Sequence, residues 1–264
     1  MTDVAANFVG SIPEYYDRFL GPRIFSRYAR EITARVVSRQ PDSVLELAAG
    51  TGIVSRELRN SLPAHCSLLV SDLNSPMLDA ARDKFRPGEN VVFESADATV
   101  LPFVENDFDS VVCQFGVMFF PQKEKSYVEV RRVLRPGGHY TFSVWGSWEQ
   151  NPFAELTHKV VADLFPNNPP GFYKVPFGYH DEDLIHDELM AAGFTSAEFE
   201  TLHLTSDIPS SNDFARGLVF GNPLLEEILA RGGDPEIVCS AIARALDDNL
   251  GSSMPLQAVI IAAS

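Results

Sequence analysis

The sequence predicts an α/β protein with helices on both faces of a doubly wound, mostly parallel sheet. Two observations carry this. Between Ser43 and about Val144, short β-rich runs alternate with helical patterns, as βαβ units do when both faces of a sheet are covered. In addition, 264 residues with 45% hydrophobic content can bury a full core.

The elements follow in order. From Tyr15 to Ser38, Phe19, Ile24, Phe25, Tyr28, Ile32 and Val36 recur at helical spacing, interrupted by Gly21-Pro22, which predicts two helices joined by a bend. Strands are expected at Ser43–Leu47, Ser67–Ser71, Val91–Glu94, Phe108–Cys113 and His139–Val144. Helices near Gly52–Ser61, Ser75–Phe85 and Lys123–Leu134 lie between them. Arg135-Pro136-Gly137-Gly138 stops the last of these helices and turns the chain into the fifth strand. Gly146 to Tyr179 is rich in Pro, Asn and aromatics and reads as a loop-rich insertion beside the site. Asp181 is an N-cap for a helix through Ala192 that Gly193 ends, with a strand at about Ala197–Thr205 after it. In the helical block that comes next, Asn222-Pro223 and Asp234-Pro235 open helices with Pro at the first helical position. Gly232-Gly233 and Gly251 close them. Gln257–Ala262 is short and β-branched, so the chain re-enters the sheet as its last strand. No repeat or linker divides the chain. It reads as a single domain, 1–264, with an N-terminal helical lid (1–40), a core (41–145), a loop-rich insertion (146–182) and a helical insertion (207–251).

Composition narrows the function. Lys and Arg number 21 against 36 Asp and Glu, a formal charge of −15 that repels phosphate backbones, so nucleic acid is not the expected substrate. Cys66, Cys113 and Cys239 lie far apart in apolar runs, without metal or redox spacing, and read as reduced core residues. No segment reaches the roughly 18 unbroken apolar residues of a membrane span and no leader pattern opens the chain, so a cytoplasmic protein is expected.

The chemistry concentrates in Val44-Leu45-Glu46-Leu47-Ala48-Ala49-Gly50-Thr51-Gly52. An apolar strand ends in a turn with two glycines, and a helix begins at once. Gly50 and Gly52 let the backbone bend and admit a ligand close to the positive helix start. Glu46, an acid just before the turn, is unwelcome beside a pyrophosphate and suits a cation; the alternative is a surface strand-end acid. Asp72 ends the second strand about twenty positions beyond Gly52, where an acid can accept both hydrogen bonds of a ribose diol; the alternative is a helix cap. Met77 then lies near an adenine, or simply packs. After the third strand, Asp97 can accept an exocyclic amine while Ala98 offers its N–H; the alternative is an Asx turn. All these positions fall at carboxyl ends of strands, where open α/β sheets bind ligands.

In that order, the run through Gly52, then Ser71-Asp72-Leu73-Asn74-Ser75-Pro76-Met77-Leu78, Ala96-Asp97-Ala98, Phe108 to Gly116, and Leu134-Arg135-Pro136-Gly137-Gly138, the sequence resembles the Rossmann-like S-adenosylmethionine-dependent methyltransferases. It most resembles the branch containing ubiquinone/menaquinone-biosynthesis methyltransferases. Ala48 stands where that family often has a glycine. The resemblance spans roughly Ser43 to Trp145. It implies a seven-stranded sheet with an antiparallel last strand and S-adenosylmethionine as cofactor. Glu46, Ala48, Gly50 and Gly52 would hold the methionine end, Asp72 and Leu73 the ribose side, and Met77, Asp97 and Ala98 the adenine. Gln114 and Phe115 would lie along the methionine, with Tyr16 reaching in from the lid beside Tyr15, Phe19 and Arg27.

Methyl transfer from a sulfonium is an in-line displacement with an activated leaving group, so alignment and exclusion of water matter most. No residue is assigned as a general base, and no metal is expected. Of the six histidines, His180 is the best placed, and a solvated helix start explains it better. The acceptor is expected to be a small molecule. Two alternatives share parts of the pattern. An NAD(P)-dependent oxidoreductase would use the Gly turn and Asp72, but Glu46, Ser55 in place of a third glycine and the lack of a Tyr-x-x-x-Lys pair oppose it. A non-catalytic binding module would use the apolar faces of Asn212–Leu250, which can equally cap the sheet or form a homodimer.

Overall fold

The computed structural model describes residues 6–264. Seven strands form one sheet: β1 (Ser43–Glu46), β2 (Ser67–Asp72), β3 (Val91–Ser95), β4 (Phe108–Gln114), β5 (Leu134–Trp145), β6 (Ala197–Asp207) and β7 (Ser253–Ala263). Their order is β3-β2-β1-β4-β5-β7-β6. The first five are parallel and β7 runs antiparallel between β5 and β6, as the sequence implied. Strand order reverses beside β1, which places the switch point of the sheet at the end of β1.

Side-chain alternation divides the core. Val44, Leu68, Val70 and Val112 meet Ala29, Ile32 and Val36 of α2 (Ser26–Ser38), Val54 and Leu58 of α3 (Ile53–Ser61) and Leu78 of α4 (Ser75–Arg82). Leu45, Leu47, Val111, Cys113 and Phe142 face a larger cluster that includes Tyr127, Val130 and Val133 of α5 (Lys123–Val133). Truncating a fully buried member such as Ile32 to Ala would cost about 2–5 kcal/mol. The three cysteines are buried and free.

Three expectations are corrected. The N-terminal segment is not broken at Gly21-Pro22. After α1 (Ile12–Tyr15) it runs as a π-helix over Tyr16–Phe25 directly into α2. The Ser26 N–H reaches back five residues to the Gly21 carbonyl, which the Ser26 hydroxyl also joins at 2.9 Å; this wider turn accommodates a residue with no N–H to give. The insertion of residues 146–182 contains a regular helix, α6 (Pro152–Leu164), alongside short 3₁₀ turns. Pro152 opens α6, and Phe153, Ala154, Thr157 and Val161 form its buried stripe. Finally, Pro223 is the N-cap of α9 (Leu224–Ala230) rather than its first helical residue, and the Asn222 side chain accepts the Leu224 N–H at 3.0 Å.

The remaining helices follow their caps. Asp181 accepts the N–H groups of Asp183 and Leu184 at the start of α7 (Glu182–Ala191), and Gly193 beyond its end has φ +96°. Ser210 caps α8 (Ser211–Phe220), and Asp234 caps α10 (Pro235–Asn249) with Pro235 in the first turn. Between α5 and the main part of β5, Leu134 pairs with Phe108 and His139 with Ser110, so Arg135–Gly138 bulge out as the turn the sequence predicted.

Candidate active site

A cavity of about 600 Å³ lies at the carboxyl ends of the central strands. Its floor begins at the turn after β1. Ala48, Gly50 and Gly52 all hold positive φ (+50°, +57° and +79°), which coils the backbone tightly between β1 and α3. The turn is tied to its neighbours by the Ala49 N–H on the Ser71 carbonyl (3.0 Å) and the Gly50 N–H on Asp72 Oδ2 (2.8 Å). Asp72 Oδ1 accepts the Asn74 N–H at 2.8 Å and its side-chain amide at 3.3 Å. Burial pushes the Asp72 carboxyl above the usual carboxylate range, against the pull of these bonds.

Of the twelve residues singled out by sequence, ten line the cavity: Tyr16, Ala48, Gly50, Asp72, Leu73, Met77, Asp97, Ala98, Gln114 and Phe115. Glu46 and Gly52 do not. Glu46 alternates with Leu45 and Leu47, so its side chain faces away from theirs, toward Ser55 on α3, and is buried with Oε2 lacking a hydrogen-bond partner among the described residues. Burial, reinforced by Asp72 and opposed by Ser55 and Lys84, pushes its carboxyl up to about 8. Gly52 serves packing: a Cβ there would sit 2.8 Å from the Ala81 Cβ, so glycine lets α3 start against α4.

Asp97 forms the turn that was the alternative reading of it, and it also lines the cavity. Its Oδ1 accepts the Thr99 N–H and hydroxyl, each at 2.8 Å, as an Asx turn does, and the residue still faces the cavity. Gln114 donates weakly to the Phe25 carbonyl at 3.4 Å, and its Oε1 is buried without a partner among the described residues. Phe115, at φ +53°, stacks on Trp145 with ring centroids 3.9 Å apart and planes within 5°. Trp145 continues to Phe177 at 5.8 Å, and the Tyr28 ring stands edge-on to Phe115 and Trp145. From the lid, Tyr16 stacks on Phe25 at 4.7 Å. Burial raises the Tyr16 hydroxyl well above its ordinary range, so it stays protonated.

The other lid candidates point elsewhere. Tyr15 packs on Phe19 and Phe220, Phe19 carries the Arg18 guanidinium, and Arg27 donates to the Thr205 carbonyl. None of the three lines the cavity. The insertion and helical block complete the far wall with Phe172, Tyr173, Phe177, Leu218 and Asn222. The Tyr173 hydroxyl donates to the Leu218 carbonyl and accepts from the Asn222 amide. Sequence reasoning missed Phe8, Asn74, Trp145 and Asn222. Trp145 was within reach, because it ends β5 as Gln114 ends β4, and so was Asn74, two residues beyond Asp72; Phe8 and Asn222 are brought in by tertiary packing.

The cavity is thus divided by chemistry. One half carries Asp72, Asp97 and turn backbone, and the other is walled by aromatics with only neutral polar groups. No Lys, Arg or His of the described residues lines it, and no cluster of three or more metal-ligating side chains occurs among them. His65 and His139 sit at the opposite end of the sheet, beside Asp42 and Arg39.

Residues 44–138 match the family model for a methyltransferase domain. The matched segment runs from β1 to the turn that opens β5 and includes the glycine turn after β1. The ubiquinone/menaquinone biosynthesis C-methyltransferase UbiE of Haemophilus ducreyi is 33% identical over 172 residues, covering 62% of this chain. The chain spans 65% of that relative's length, just under two thirds. Among solved structures, the YcgJ protein of Bacillus subtilis superposes with a TM-score of 0.60 at 17% identity, over 90% of this chain and 97% of its own. The phosphoethanolamine N-methyltransferase 2 of Haemonchus contortus, solved with phosphomonomethylethanolamine and S-adenosylhomocysteine, gives 0.55 at 15% identity, over 97% and 60%. At these identities the two structures share the fold.

Proposed function

We propose that the protein transfers a methyl group from S-adenosylmethionine to an uncharged, largely apolar small molecule. The observation that carries this reading is the divided cavity: two carboxylates without a cation at the switch point of the sheet, opening directly onto an aromatic chamber. The donor set suits a cofactor that brings cations, since acids without a basic partner favour an ammonium and a sulfonium over a pyrophosphate. Bound there, S-adenosylmethionine supplies an activated methyl on a sulfonium. Asp72 would hold the ribose diol and Leu73 and Met77 would flank the adenine, which Asp97 and Ala98 would read. Ala48 and Gly50 would receive the methionine end, with Gln114, Phe115 and Tyr16 beside it. Glu46 and Gly52 act from behind the turn.

The chain's contribution is orientation. The stacked Phe115 and Trp145 rings give a flat acceptor one defined face, and the lid excludes water from the reacting atoms. The acceptor end has no charged side chain among the described residues, so a charged acceptor would lose its hydration without replacement. Oxidoreductase and non-catalytic readings draw no support from the methyltransferase family match or from the relatives. The chain is proposed to work as one domain, with the lid, insertion and helical block closing a single site. Its charge of −15 argues against nucleic-acid acceptors, and no helix among the described residues is long and apolar enough to cross a membrane; a cytoplasmic setting accords with both. Exposed Leu229 and Ile237 on α9 and α10 support a homodimer through the helical block.

Calorimetric titration with S-adenosylhomocysteine and, separately, NADH tests the central claim. Binding of the first alone, weakened at least about tenfold in Asp72→Asn, is expected. Binding of NADH alone would overturn it.

A further inference from the structure

Asp17 is a carboxylate of the π-helix that no part of the methyl-transfer reading uses. Its Oδ1 accepts the Thr51 hydroxyl at 2.7 Å and, from the other side, the Lys84 ammonium. Thr51 is fully buried at the centre of the β1–α3 turn, between Gly50, whose N–H is held by Asp72, and Gly52. Lys84 follows α4, the helix that starts just beyond Asp72. A single oxygen therefore joins three segments: the lid, the cofactor turn and the end of α4.

The neighbours of Asp17 show what this junction controls. Tyr16 precedes it, and Leu20, Ile24 and Phe25 follow along the same π-helix; all four line the cavity. Moving Asp17 off Thr51 would move those four walls relative to the turn that carries Ala48 and Gly50. A serine or threonine hydroxyl donating to a carboxylate is a strong, directional tie. A second tie lies upstream, where the Asn74 amide donates to the Ala6 carbonyl at 3.1 Å. It fastens the start of the lid segment to the residue that also binds Asp72.

We propose that Asp17 is a positioning residue that locks the lid to the β1–α3 turn, so that the cofactor half of the cavity and the wall formed by the π-helix are set as one unit. The proposal rests on the S-adenosylmethionine reading of the cavity. Asp17 acts through Thr51 and the turn backbone and touches neither reactant itself. Thr51 gives the junction its specificity, because it is the donor that only a hydroxyl side chain can supply at that point of the turn.

The test is a double-mutant cycle on the full chain, read as the calorimetric Kd for S-adenosylhomocysteine in Asp17→Ala, Thr51→Val and the double variant, with Thr51→Ser as the conservative replacement. Each single variant is expected to bind about tenfold more weakly. The double should be no weaker than the worse single, because both remove the same tie. Thr51→Ser should return to within about twofold of the parent, as the hydroxyl is restored. If the parent binds and the single variants bind as tightly, or their losses simply add, or Thr51→Ser behaves as Thr51→Val, Asp17 has no positioning role. If the parent itself takes up no S-adenosylhomocysteine, the cofactor reading falls, and the positioning role with it. Should Asp17→Ala fail to fold, Thr51→Val and Thr51→Ser decide alone.

Discussion

Ala48 carries a backbone conformation that glycine adopts freely and alanine does not, and its methyl group occupies a space cleared by another residue. A Cβ built on Gly116 would lie 2.5 Å from the Ala48 Cβ and 2.7 Å from Cys113 Sγ. The two positions are therefore coupled: the chain tolerates Ala48 because residue 116 has no side chain. Gly116→Ala should destabilise the fold by about 1–3 kcal/mol through overpacking. Adding Ala48→Gly removes one of the two clashes and the positive-φ strain, and should recover a measurable part of the loss in thermal melts. Glu46 makes a prediction of a different kind. In the folded chain its carboxyl keeps its proton up to about pH 8, whereas in the unfolded chain it ionises near its usual 4.5. Folding holds one extra proton between those values, so this contribution to stability is full below about pH 4.5 and is lost as pH rises to about 8. Glu46→Gln should flatten the dependence of Tm on pH across that window; an unchanged slope would assign it to other groups. Most of the ten cavity-lining residues picked from the sequence follow the carboxyl ends of strands, where pattern and position coincide, while Tyr16 and Met77 come from helices. Glu46 lies outside the cavity lining because strand alternation turns it away, and alternation is hard to read in a strand buried on both faces.

At the scale of elements, α6 was hidden by composition. Pro152 and the aromatics around it read as loop, yet Pro152 begins the helix and Phe153, Thr157 and Val161 form its stripe. What fixes α6 to the sheet is Asn151, fully buried. Its amide donates to the carbonyls of Gly146, Ser147 and Gln257, and its Oδ1 accepts the Gln257 N–H at 3.0 Å. The side chain imitates one more rung of β7. Asn151→Ala strands several buried backbone groups and should cost about 2–3 kcal/mol. Denaturant midpoints would measure this, and faster hydrogen exchange in residues 147–164 would locate it. The π-helix was equally illegible, since Gly21-Pro22 is the ordinary sign of a break. It is continuous because α3 approaches so closely that a Cβ on Gly21 would meet Ile53 at 3.2 Å, and because the wide turn absorbs the missing Pro22 donor.

For the whole molecule, the alternation of short apolar strands and amphipathic helices was enough to predict the parallel core, and β-branched residues near 260 predicted the returning strand. Neither pattern contained the cavity's far wall. Phe8, Phe172, Tyr173, Phe177 and Asn222 are drawn from segments spread over two hundred positions, and only the assembled tertiary structure brings them together. The position of β7 has a consequence for how the chain is made. β6 is synthesised first, pairs with no other strand, and must wait for β7, which also supplies the second neighbour of β5. Until β7 emerges from the ribosome, two strands of the nascent chain lack a neighbour, one of them, the eleven-residue β6, with no partner at all. A message cut short before Ser253 would therefore yield a client for chaperones and proteases rather than a smaller folded protein.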